Sequence, residues 1–160
     1  MPNDDSLDLD ADIAAHGWVV IRIEEDARGP AFAYSIGLTA RFGHPEIIIL
    51  GLPLDVAHDI INLVGDAVRR GSRYVAGGTY DEFLEGYDVT FRAVPRHQYD
   101  AYLGTALRFY DNESFTTLQL VYPTREGVWP WQDGAPESFR NRQPVLADES
   151  EPPWASEPAG

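Results

Sequence analysis

The chain contains no cysteine and no lysine. Without a thiol there is no disulfide framework, no thiolate nucleophile and no cysteine-ligated metal. Without a side-chain amine there is no Schiff base and no lysine-bearing phosphate loop. All twelve basic residues are arginines, which together with abundant Ala, Gly and Pro reads as the bias of a GC-rich genome. Long apolar runs are missing as well: no window approaches the ~20 apolar residues of a membrane span. The start, MPNDDSLDLD, lacks the basic and apolar pattern of a secretory signal. The reading is a cytoplasmic protein with no membrane partner.

Positive charge is scarce, and its distribution matters more than the total. The formal charge is −14, from 26 acids against 12 arginines. Five acids lie in residues 1–12 and four in residues 148–160. Setting these nine aside leaves 17 acids against 12 arginines, a net of −5 for the body of the chain. No basic stripe exists to neutralise phosphates, so nucleic acid is excluded as a partner. At 160 residues, one domain burying roughly 70% of its unfolded surface needs no metal or staple. The expected boundaries are a disordered acidic N-terminus over 1–8, a single domain over 9–145, and a disordered acidic, Pro-rich tail over 146–160.

What is present centres on Ala31–Pro53. Phe32, Tyr34 and Ile36 alternate with Ala33, Ser35 and Gly37, the period of a strand. After a polar loop, Leu38–Pro45, the run Glu46–Leu50 is continuously apolar beyond its first residue, as in a strand covered on both faces. Before this pair, a short helix ends at His16-Gly17, with His16 suited to the carbonyl end of the dipole. Trp18–Ile23 is a strand in hairpin with the next. Pro53–Arg70 carries apolar residues at spacings of three and four, acids early and arginines late, and predicts the longest helix. On its flank Asp55 and His58 lack the second histidine that a metal site at helical spacing needs, so no metal site is assigned. Ser72–Gly86 holds a Gly77-Gly78 turn, a short strand over Arg73–Ala76 and a helical turn over Asp81–Glu85. Strands follow at Tyr87–Val94 and Phe115–Pro123, with a helix over Arg96–Tyr110 between them that Gly104 weakens by about 1 kcal/mol. His97, in the first turn of that helix, has nothing that marks it as reactive. The fold class is α+β: a mainly antiparallel sheet of five to six strands, open or barrel-like, with two main helices.

Three blocks, GPAFAYSIGLTARFGHPEIIILGLP from Gly29, EGYDVTFRAV from Glu85 and QLVYPTREGVWPW from Gln119, resemble the bacterial family known as domain of unknown function 4262. The resemblance covers about residues 12–145. It implies a bacterial cytosolic domain with no established reaction, and it supplies no catalytic residues.

The candidate site residues are Tyr34, Ser35, Thr39, Arg41 and His44 on the first block, Gln119 and Tyr122 on the last strand, and Trp129 and Trp131 after it. If the strand ending near Tyr122 lies beside the one ending near Gly37, they converge on one rim. Arg41 is then an anion anchor, because its planar fork suits carboxylate or phosphate. His44 is the candidate acid or base. Trp129 or Trp131 is a stacking wall. The plainer reading has Arg41 pairing with Glu46, His44 fixing a turn before Pro45, and the two tryptophans acting as an apolar plug. Three functions are compatible: binding of a small molecule or peptide at this strand-end pocket, a flavin (FMN) oxidoreductase on a split barrel, or an interaction or immunity-type protein engaging a basic partner. A homo-oligomer is compatible with each.

Overall fold

Continuous burial along one strand decides the architecture. The computed structural model describes residues 4–27, 29–111 and 115–147. In it the expected pair becomes β2 (Phe32–Ile36) and β3 (Glu46–Leu50), and every residue of β3 is buried. Such a strand must be covered on both faces, and it is. On one face Ile47 and Ile49 pack with Ala33, Leu118 and Leu120 under the long helix α3 (Leu54–Arg69), through its Ala57, Ile61, Val64 and Val68. On the other, Ile48 and Leu50 pack with Tyr34, Ile36, Tyr99, Leu103, Ala106 and Phe115.

The remaining elements are α1 (Asp4–His16), β1 (Val19–Ile23), α2 (Leu38–Phe42), β4 (Thr79–Leu84), β5 (Tyr87–Ala93), a 3-10 turn (Arg96–Gln98), α4 (Tyr99–Tyr102), α5 (Gly104–Phe109), β6 (Thr117–Val121) and α6 (Glu137–Arg142). The strands form one sheet in the order β1-β2-β3-β6-β5-β4. β3 and β6 run parallel, Ile48 opposite Gln119, and every other neighbouring pair is antiparallel. The fold is α+β with a mainly antiparallel sheet, as expected; the sheet is open rather than barrel-like, with β1 and β4 at its edges. Among the described residues no helix is long and apolar enough to cross a membrane.

Several elements differ from expectation. The helix expected over 96–110 breaks at Leu103 (φ −117°, ψ 36°) into α4 and α5. Leu103 leaves helical geometry and is fully buried, and Gly104 tolerates the break at its side. Residues 81–84 are strand, not helical turn, and Arg73–Ala76 is irregular. The open edge of β5 accepts this segment, and Tyr80 and Phe83 join Tyr74 and Phe91 in an aromatic cluster with ring centroids 4.9–6.3 Å apart. A short helix, α2, stands in the expected loop, and α6 follows the Trp129–Trp131 segment. Val56, placed on the apolar stripe by spacing, is 37% exposed. Residues 4–8, expected to be disordered, belong to α1. The tails at 1–3 and 148–160, with Trp154, lie outside the described residues.

Candidate functional site

Ser35 and Thr39 meet at Glu46, which the sequence marked as the start of a strand and as a partner for Arg41. Glu46 is 0% exposed and its carboxylate is ringed by donors. Ser35 Oγ donates to Oε1 at 2.7 Å, and the backbone N–H groups of Gly37, Leu38 and Thr39 donate at 3.1, 3.3 and 3.2 Å. The Tyr110 hydroxyl donates to Oε2 and itself accepts from the N–H of Gly37 and Ala40. An acid placed against the first turn of α2 satisfies amides that the helix leaves orphaned. Gly37 makes the entry: its φ is 127°, and a Cβ there would lie 2.6 Å from the Gly17 carbonyl oxygen. Burial pushes the Glu46 carboxyl above its usual range against the opposing pull of Tyr110, Ser35 and the amides. Burial and the neighbouring Glu46 push the Tyr110 hydroxyl up as well. These donors are directed at the protein's own carboxylate, so the cluster joins α2, β2, β3 and the end of α5.

Arg41 and His44 flank this hub and face backbone. Arg41 donates to the carbonyls of Ile13 at 2.7 Å and Ala14 at 3.3 Å, closing the last turn of α1; it does not hold Glu46. His44 is 1% exposed. Its Nε2 accepts from the Tyr74 N–H at 3.0 Å and its Nδ1 lies 2.8 Å from the Pro45 carbonyl. Because an N–H must find a lone pair at Nε2, the ring is the neutral tautomer with the proton on Nδ1. Burial, helped by Arg73, holds its pKa below the ordinary value. The Thr39 hydroxyl donates to the His44 carbonyl at 2.8 Å.

The remaining candidates do not converge with these. β6 lies beside β3 and β5, not beside β2, and runs parallel to β3. Its far end therefore sits with Leu50, where the Tyr122 hydroxyl donates to the Leu50 carbonyl at 2.9 Å, and not with Gly37. Gln119 is buried and holds the C-terminal segment, donating to the Pro144 carbonyl at 2.8 Å and accepting from the Leu146 N–H at 2.9 Å. Trp129 and Trp131 stack in parallel planes with centroids 5.4 Å apart, and the Arg92 guanidinium lies 5.3 Å from the Trp131 ring. The single expected rim is divided because β3 separates the two strands that were to form it.

Tyr34, itself 1% exposed, contributes to the floor of a cleft of about 410 Å³. One wall is the β1–β2 hairpin, contributing Glu24 and Asp26 from its turn and Phe32 and Tyr34 from β2; the other is the broken α4–α5 helix, contributing Asp100, Tyr102, Thr105 and Arg108. Phe32 meets Tyr102 edge to face at 5.2 Å and lies 6.3 Å from the Tyr34 ring. The Tyr34 hydroxyl accepts from the Thr105 N–H at 3.3 Å, and Arg108 is 3.4 Å from the Thr105 hydroxyl. Burial raises the pKa of both Tyr34 and Tyr102, so both are neutral phenols that can donate. Sequence reading missed Tyr102, Asp100 and Arg108 because an unbroken helix over 96–110 points them in unrelated directions; the break at Leu103 is what gives the cleft its second wall.

A shallower groove of about 570 Å³ runs between α1, β1 and α3, lined by Asp12, His16, Trp18, His58, Asn62 and Arg69 among others. Its groups are engaged with one another: Trp18 Nε1 donates to Asn62 at 2.9 Å, and Arg69 lies 4.7 Å from the Trp18 ring and 2.5 Å from the His16 carbonyl. Among the described residues no group of three or more acids and histidines could hold a metal ion.

The family model described as domain of unknown function (DUF4262) matches residues 12–136. No curated protein and no solved structure matches the chain.

Proposed function

We propose, for a chain that belongs to the family described as domain of unknown function 4262, that it binds a small molecule in the cleft between the β1–β2 turn and the α4–α5 break. Tyr34, Phe32 and Tyr102 are the apolar walls, and Arg108 takes the anchoring role that the sequence assigned to Arg41. The observation that carries the reading is the meeting of three aromatic rings and charges of both signs in one recess of about 410 Å³. That size and mixture are those of small-ligand sites. The flavin alternative drew on a barrel-like strand order, which the open sheet does not supply. The interaction alternative drew on Trp129 and Trp131 meeting a basic partner, whereas Arg92 of the chain itself lies against Trp131.

A thermal-stability screen of the full chain against metabolites tests the proposal. A ligand at a hundredfold excess over its Kd adds about 2.7 kcal/mol, a rise of several degrees in a domain of this size. The shift is expected to disappear in Tyr102→Ala, to weaken in Arg108→Ala where the ligand bears an anionic group, and to persist in His58→Ala, which alters only the other groove. A stabilising metabolite whose effect survives both cleft substitutions would place binding elsewhere.

A further inference from the structure

We infer that a second copy of this chain adds to the sheet along the outer edge of β1, giving a twofold dimer with one continuous sheet. β1 is an edge strand, and the phase of the ladder identifies its outward groups. The Gly51 N–H donates to the Ala31 carbonyl at 2.9 Å. Backbone directions alternate along a strand, so Ala33 and Ser35 also turn to β3, while Phe32, Tyr34 and Ile36 turn to β1. Their partners are Ile23, Ile21 and Val19. Val20 and Arg22 therefore point both backbone groups out of the sheet, and among the described residues no backbone bond takes them up. The space beyond them is open. Val19 packs in one layer of the core, Trp18 and Val20 in the other, so one recess can touch all three only by running along the strand's edge. The groove of about 570 Å³ does so, with α1 and α3 at its sides. The sheet's two edges differ in kind. β4 has a register shift between Tyr80 and Leu84 and exposed acids at Asp81 and Glu82, devices that discourage edge pairing. β1, VVIRI, has no acid, no proline and no shift, and its three leading apolar residues are only partly buried. A row of outward amides and carbonyls selects an extended backbone, and charge favours β1 itself. Pairing centred on Val20 sets outward residues against outward residues: Val20 meets the partner's Val20, Val19 meets the partner's Ile21, and Arg22 meets the partner's Trp18, a cation against an indole. Positions 24 and 16 then oppose, an acid and a histidine. Centring on Ile21 sets Glu24 against the indole, and centring on Arg22 sets two arginines face to face. The preferred pairing consumes the open edge of both copies, and the guarded β4 edges end the sheet, so it closes as a dimer.

Sedimentation equilibrium of the full chain, from micromolar to several hundred micromolar, is expected to reach twice the 17.8 kDa mass of one chain. Val20→Pro removes an outward N–H and leaves the β1–β2 bonds in place, as proline on an edge strand can. Val20→Lys brings two like charges together at the twofold axis. Each is expected to weaken association at least tenfold with an unchanged far-UV circular dichroism spectrum; if the proline variant does not fold, the lysine variant decides. Leu63→Ser, which removes an exposed apolar side chain from α3, is expected to leave association as it is. Hydrogen exchange ties the contact to the strand: the Val20 and Arg22 amides are expected to exchange at least tenfold more slowly in the dimer than in the dilute monomer. A chain that stays monomeric throughout overturns the inference. So does a dimer that survives both Val20 substitutions, is lost in Leu63→Ser, or leaves those two amides unprotected. Protection of the same amides in the monomer overturns it as well, by showing the edge taken by another segment or a foreign strand.

Discussion

His44 shows how a single side chain can look chemical in sequence and be held inert by its surroundings. Its two ring nitrogens face a donor and an acceptor of the backbone, a pairing that only the neutral ring satisfies. Protonating Nε2 would set two donors against each other in a buried place. The folded pKa therefore lies below the ordinary 6.5. Above that pH both folded and unfolded chains carry a neutral ring, and the stabilisation is complete. Below it the unfolded chain takes up a proton first, so this contribution is lost as pH falls from 6.5 toward the folded pKa, by at most about 1.4 kcal/mol per pH unit for one proton. Glu46 acts in the opposite sense: with its pKa raised above the usual 4.5, its contribution is present at low pH and lost as pH rises. In His44→Gln an amide oxygen can still accept from Tyr74, and nothing titrates. Urea midpoints at pH 7.5 and 5.5 are expected to fall further apart in the wild type than in this variant; equal spacing would show that the ring is not held neutral. Ser35 and the Thr39 amide share Glu46, and the Thr39 hydroxyl meets the His44 carbonyl. Their roles were not legible because the groups that decide them, Tyr74 and Tyr110, arrive from 30 positions beyond His44 and 64 beyond Glu46.

Among the elements, α3 was legible from its spacing alone, yet the feature that seats it on the sheet is a residue helix propensity argues against. Gly65 lies in the helix interior, and a Cβ there would come 2.4 Å from Cζ2 of Trp18. The indole cannot readily retreat, because Asn62 holds its Nε1 and Arg69 lies over its ring. Alanine gains about 1 kcal/mol in helix propensity over glycine, whereas overpacking a fixed contact costs about 1–3 kcal/mol. Gly65→Ala is expected to lower the melting temperature by a few degrees despite being the better helix former. A rise would mean that Trp18 yields. Strands β2, β3 and β6 were legible because their patterns reflect burial on one or both faces. β4 was not: Asp81 and Glu82 sit in its middle, against strand preference. It is a strand because β5 offers an open edge and Tyr80 and Phe83 find aromatic partners. The broken helix hid the cleft for the same reason, since the burial of Leu103 depends on a layer that local spacing does not describe.

For the whole molecule, the question is which residues the folded body requires. The family match ends at residue 136, but the core does not. Phe139 packs edge to face on Tyr122 at 5.8 Å in one layer, and Leu146 is buried in the other. Between them the segment passes the end of β3, where the Arg142 carbonyl oxygen would lie 2.4 Å from a Cβ on Gly51. Two amides fasten it. Gln143 bonds both the N–H and the carbonyl of Tyr122, at 3.0 and 2.9 Å, and Gln119 bonds Pro144 and Leu146 in return. Burying two large apolar side chains contributes about 1.5–3 kcal/mol each, and each bond adds about 0.5–1.5 kcal/mol. The total is comparable to the 5–15 kcal/mol by which a domain is stable at all. A fragment of residues 1–136 is therefore expected to be largely unfolded at 25 °C by far-UV circular dichroism. Gln143→Leu keeps the chain but leaves the backbone of Tyr122 unpaired, and is expected to lower stability by about 2–4 kcal/mol in urea. If the fragment unfolds at the same urea concentration as the full chain, residues 137–147 merely rest on a body that is already complete without them.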